Sequence, residues 1–289
     1  MKLHAAARPL LSVLAAMVLT SPAVRAELTL PRPSPNASVT QVIGTTKLEL
    51  TYSRPGVKGR AIWGALVPYG SPWRTGANEP TTFITPDDIT VSGQKLAAGK
   101  YSLVTIPTEG EWTVIFSGQK DLQGTTNYDA KNDVLRVTAT PAKGQPDQEW
   151  LSLGFDDLTA NSCNLVLRWE KLRLAVPIAA DVNASVLAAA RKEVDNADRD
   201  AWRTPFRAAS YAFDNGVALD EGSKWLEKSL AMQKNHSNLA LKAKWLAKDG
   251  KKKDAIVVAK QAIAAGKAAT PAADVTATEK LVAEWTGTK

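Results

Sequence analysis

The chain has 289 residues, 44% of them hydrophobic, with 36 Lys and Arg against 29 Asp and Glu, a formal charge of +7 and a single cysteine. That length is ample for well-buried apolar cores, and one cysteine excludes an intramolecular disulfide. The charge is too modest to argue for nucleic acid and supports only a mild preference for anionic partners.

The first residues carry Lys2 and Arg8, then an apolar run over 10–19, then small residues up to Ala26. This is the pattern of a secretory signal, residues 1–26, with cleavage expected after Ala26; the run is well short of the roughly 20 residues a membrane helix needs. Loss of Lys2, Arg8 and Arg25 lowers the charge from +7 to about +4. No later segment is apolar and long enough to cross a bilayer, and Cys163 is too far from the cleavage point to be the first residue of a lipoprotein. A periplasmic or secreted location follows as the expectation.

Residues 27–180 read as a mainly β domain. Apolar and polar residues alternate in short runs such as 47–52, 89–91, 101–106, 112–116, 134–138 and 164–169, broken by Gly, Pro, Asn and Asp. That spacing predicts an antiparallel sandwich or barrel. Leu172, Leu174 and Val176 continue the rhythm of the last run to Pro177. Residues 181–289 change to Ala, Lys, Glu and Leu with helical periodicity, predicting helices over 182–194, 202–215, 219–232, 239–248 and 253–265, with a last segment over 276–285 for them to lean on. Asn215-Gly216 and Asp249-Gly250 recur 34 residues apart, which is the tetratricopeptide (TPR) period, so this half is expected to be a TPR-like helical domain.

Counting removes much of the usual chemistry. His236 is the only histidine beyond the signal, and it falls in a polar break between predicted helices. Ser-His-Asp and Cys-His centres and histidine metal clusters are therefore not expected. There is no GxxxxGK[ST] or GxGxxG motif, and no cofactor or metal is expected. Carboxylates remain; Asp87-Asp88 and Asp156-Asp157 read as solvated strand ends rather than a calcium site.

One segment, residues 52–79, does not look like ordinary core. It combines the cations Arg54, Lys58, Arg60 and Arg74 with the aromatic side chains Tyr52, Trp63, Tyr69 and Trp73, and with Gly and Pro residues that impose tight backbone geometry. Two readings stand side by side. In one, the cations and rings line a ligand groove, with Asn78 and Glu79 orienting donors; in the other, the rings are core and the cations are satisfied internally.

The pieces YSRPGVKGRAIWG, LVPYGSPWRTGANEPT, LAAGKYSLVTIP, EWTVIF and LVLRWEKLRLAVPI resemble an exported bacterial family, family 2911 of the domains of unknown function. The resemblance covers nearly the whole β region and implies a secreted β-rich domain, often with a TPR-like extension, but no activity. Leu122-Gln123 before Gly124 departs from it, since similar proteins tend to place a tryptophan there.

The leading functional expectation is a non-enzymatic envelope protein that presents segment 52–79 to an anionic glycan or peptide and docks a protein partner on its helices. One alternative is a carboxylate-dependent glycan hydrolase using Glu79 with a second acid. The other is a structural assembly scaffold.

Overall fold

The computed structural model describes residues 30–119, 122–198 and 201–287; the expected signal segment and its cleavage point lie outside them. Among the described residues ten strands occur in the order β1 (Asn36–Ile43), β2 (Thr46–Ser53), β3 (Thr82–Thr85), β4 (Ile89–Val91), β5 (Gln94–Leu96), β6 (Gly99–Ile106), β7 (Trp112–Ser117), β8 (Asp133–Ala139), β9 (Ala142–Asp156) and β10 (Ser162–Ala180). They form one sheet in the order β1-β2-β3-β6-β7-β8 and a second in the order β5-β4-β10-β9. Every pairing is antiparallel. Neither sheet closes on itself, so the sandwich alternative holds and the barrel does not.

Strand alternation builds the core between the sheets. In β2, Leu48, Leu50 and Tyr52 point inward while Lys47 and Thr51 face solvent. They meet Phe83, Leu103, Trp112 and Phe116 of the same sheet and Leu151, Leu165, Leu167 and Trp169 of the other. The two runs read near residues 164–169 and 172–177 are one strand, β10, whose pairing with β9 shifts register on both sides of Glu170, where φ is +53°. The irregular backbone at Glu170 shifts the alternation, so that Trp169 and Leu172 both face inward and one long strand buries both runs.

Six helices follow among the described residues: α1 (Val182–Asp195), α2 (Arg203–Asn215), α3 (Leu219–Met232), α4 (His236–Lys248), α5 (Lys252–Ala268) and α6 (Thr276–Thr286). α2 packs on α3 and α4 on α5. Gly216 and Gly250, both in the left-handed region at φ +67° and +77°, stand in the connections within these pairs. Their core comprises Ala209, Ala212, Trp225, Leu226 and Trp245. Where the helices leave the sheets, the β1–β2 turn lies on α1 so closely that a Cβ on Gly44 would fall 2.2 Å from Val182 Cγ2. No helix among the described residues is long and apolar enough to cross a membrane.

Candidate functional site

The connection from β2 to β3 contains nearly all of segment 52–79, and its backbone shows what it holds together. Leaving β2, it moves to the free edge of β9 in the other sheet: Leu151 N donates to Pro55 O at 2.9 Å and Val57 N to Glu149 O at 2.8 Å. Lys58 N adds a bond to Glu149 Oε1 at 2.9 Å. The chain then returns to the first sheet, where Gly70 N donates to Pro107 O at 2.8 Å and Trp73 and Thr105 exchange bonds of 2.7 and 2.9 Å. One irregular segment thereby ties an edge of one sheet to the end of β6 in the other.

Its tryptophans close the core at that junction. Trp63 sits edge-on to Trp112, Trp169 and Trp73 at centroid distances of 4.9, 5.7 and 5.9 Å. Trp73 stacks on Trp169 at 5.9 Å. Trp112 and Trp169 are fully buried, so Trp63 and Trp73 form the outer half of a four-ring cluster whose edge-to-face contacts suit the ring quadrupoles. Trp73 Nε1 donates to Gly76 O at 3.1 Å, while Trp63 Nε1 is buried with no hydrogen-bond partner among the described residues. Tyr52 is a core residue whose hydroxyl donates to Leu153 O at 3.0 Å. Tyr69 is exposed and lies against Gly64.

The cations do not converge on one groove. Arg54 Nε donates to Leu151 O at 2.8 Å, fastening β9 to the end of β2. Arg60 donates to Gly56 O at 2.6 Å and to Val57 O at 3.1 Å, closing its own turn. Lys58 Nζ lies 5.7 Å from the centre of the Trp150 ring. Arg74 points elsewhere: a Cβ on Gly124 would lie 2.6 Å from its Nη1, and its Nε is buried without a hydrogen-bond partner among the described residues. Asn78 Nδ2 donates to Ser34 O at 3.1 Å. Glu79 receives a long 3.5 Å contact from Ser53 Oγ.

Glu79 also opens onto a cavity of about 280 Å³ that sequence reading did not identify. Its walls are Glu79, Pro80, Thr82, Lys100, Tyr101, Ser102, Gln119 and Leu122. Alternation along β6 sends Tyr101 and Leu103 into the core and Lys100, Ser102 and Val104 to the opposite side of the sheet. That outer side is covered in part, because Leu122 and Tyr128 pack with the fully buried Val104 and Ile115. The covering chain is held by Ser102 Oγ donating to Gln119 O at 3.1 Å, and by Gln119 bonding Asn127 O at 2.8 Å and Asp129 N at 3.2 Å. Tyr128 donates to Asp133 Oδ2 at 2.7 Å; burial and this bond push its phenol up to about 12.

Among the described residues the cavity offers one carboxylate, one ammonium, the hydroxyls of Thr82 and Ser102 and an amide around the apolar surfaces of Pro80 and Leu122. Lys100 is exposed and forms no ion pair among the described residues. Glu79 is the only carboxylate among the described residues that line the cavity. The other acidic pairs are structural. Asp87 accepts from Thr46 at 2.7 Å, and Asp88 pairs with Lys95 at 2.8 Å. Asp157 pairs with Arg173 at 3.1 Å. Burial acts to raise the Asp156 carboxyl, but hydrogen bonds from Arg168 and Arg173 outweigh it and hold it below the usual range. No group of three metal-binding side chains occurs among the described residues.

A family model described as "Protein of unknown function (DUF2911)" matches residues 34–178, half of the chain. That region ends within β10, so the matched part is the two sheets and the helices lie outside it. No curated protein and no solved structure matches.

Proposed function

The chain belongs to the DUF2911 family of proteins of unknown function, and from that premise we propose that it is an exported, non-enzymatic protein that binds an anionic glycan in the cavity beside Glu79. In this reading Arg54, Lys58, Arg60, Trp63 and Trp73 frame the site rather than touch the ligand, and Tyr52 anchors β2. The helices act as a TPR-like surface for a protein partner, and export rests on the composition of residues 1–26.

The lining of the cavity carries this reading. A saccharide needs donors and acceptors around its rim and an apolar surface against its ring face. Glu79 accepts from sugar hydroxyls, and Ser102, whose proton is committed to Gln119 O, accepts as well. Lys100 meets a sugar carboxylate with a charge-assisted bond, while Pro80 and Leu122 supply the apolar side. The volume suits one sugar unit. A glycosidase would need a second acid across the cavity from Glu79, and the described residues of the lining contain none.

The test is calorimetric titration of the chain lacking residues 1–26 with uronic-acid oligosaccharides and cell-wall fragments. Lys100→Ala removes a bond worth about 1.5–3 kcal/mol, so affinity should fall roughly tenfold to a hundredfold. The melting temperature should hold, because Lys100 is exposed. Unchanged affinity in Lys100→Ala, or saturable binding of acidic peptides with no glycan binding, overturns the proposal.

A further inference from the structure

Beyond residue 26 the net charge of the chain lies in its helical half. Residues 27–180 hold 15 Lys and Arg against 15 Asp and Glu, whereas residues 181–289 hold 18 against 14. The excess is concentrated where α4 turns into α5. Lys244 and Lys248 stand one turn apart at the end of α4, and Lys251, Lys252 and Lys253 follow across the turn. All five are exposed. The only acids in this stretch are Asp249 and Asp254, also exposed. Since α4 packs on α5 and a helix rises 1.5 Å per residue, the five ammonium groups are gathered at one tip of the helical region.

Ion pairing does not account for them, and helix stability does not account for the pair that opens α5. Other lysines of the same helices have partners, Lys242 with Glu227 and Lys267 with Glu279 at 2.8 Å, but none of these five forms an ion pair among the described residues. Lys248 Nζ instead lies 5.2 Å from the centre of the Phe213 ring. Lys252 and Lys253 occupy the first turn of α5, where the helix dipole favours acidic side chains, so their placement there opposes local stability. An apolar group stands beside them: Val257, one turn on from Lys253, is 56% exposed, and Lys260 and Ala264 continue the same exposed face.

We infer that this tip docks on a membrane surface rich in anionic phospholipid headgroups. Lysines near such a surface gain attraction to the headgroup phosphates that is additive over several residues and falls off within a Debye length. Val257 favours a bilayer over a hydrated soluble polyanion, because an exposed apolar side chain gains from the acyl boundary and gains nothing from a polymer in water. The surface is separate from the Glu79 cavity, so it can hold or fail independently of the glycan proposal.

The experiment is flotation of the chain lacking residues 1–26 with vesicles of phosphatidylglycerol and phosphatidylcholine, and with phosphatidylcholine alone, at low and high salt. Binding is expected to the mixed vesicles only and to weaken steeply with salt. K251E/K252E/K253E should reduce partitioning at least roughly tenfold with an unchanged circular dichroism spectrum. Val257→Ser should weaken it measurably at high salt, where the apolar part dominates. No binding by the parent chain, equal binding to neutral vesicles, or full binding by the triple variant overturns the inference. Full binding by Val257→Ser at high salt transfers the tip to a soluble polyanion and overturns the membrane assignment.

Discussion

Arg54→Ala separates a frame residue from a ligand residue. The substitution deletes the 2.8 Å bond from Arg54 Nε to Leu151 O and leaves the backbone bond from Arg54 N to Pro35 O in place. A hydrogen bond from a charged donor contributes about 1.5–3 kcal/mol, and this one spans the two sheets at a partly buried position. Loss of the packed aliphatic stem adds to the effect. The midpoint of urea unfolding should therefore fall with the slope unchanged, and the melting temperature should drop by ~3–10 °C for a protein of this size. Arg54→Lys should recover little, because an ammonium lacks the Nε geometry that reaches Leu151 O. Affinity for glycan should be unaffected in the folded fraction. The reasoning fails if Arg54→Ala keeps its full unfolding midpoint and loses the ligand, since the guanidinium would then be contacting ligand rather than the Leu151 carbonyl.

Two further outcomes test other parts of the structure. Gly44→Ala should destabilise by about 2–4 kcal/mol, since φ is +59° and the new Cβ would collide with the stiff Val182 side chain; a normal urea midpoint would show that the β1–β2 turn is not seated on α1. Tyr128 holds its proton more tightly folded than unfolded, so its contribution is complete below pH 10 and is lost as the pH climbs through about 12. Tyr128→Phe should flatten that alkaline limb of stability, and an identical limb in the variant would contradict the buried phenol.

Local pattern was enough for most of the architecture. Strands such as β2 and β4 and helices such as α3 follow from period-two and helical spacing, because each buries one face and the sequence must mark that face. β9 escaped notice because only Leu151 and Leu153 of Ala142–Asp156 are buried and its first half is rich in Gly, Pro, Gln and Asp; its pairing comes from β10 rather than from its own apolar rhythm. The irregularity at Glu170 escaped because a shift of alternation within one strand looks like an interruption between two.

For the candidate site the division is sharper. Composition alone marked segment 52–79 as unusual and, by counting histidine and cysteine, removed the catalytic centres built on them. It could not say whether Arg54 meets a ligand or a carbonyl, since donors satisfied by backbone 97 residues away leave no trace in sequence. Lys100 and Ser102 appear in the sequence as the polar half of an alternating strand, the same pattern as any solvent-facing residues. Only folding brings Glu79, Lys100 and Leu122 around one cavity, because convergence depends on strand order and on how the covering chain crosses the sheet. The sequence by itself determined which side chains are available and which faces are buried; the tertiary structure decided which of them meet, because contacts between distant segments depend on sheet order and loop path.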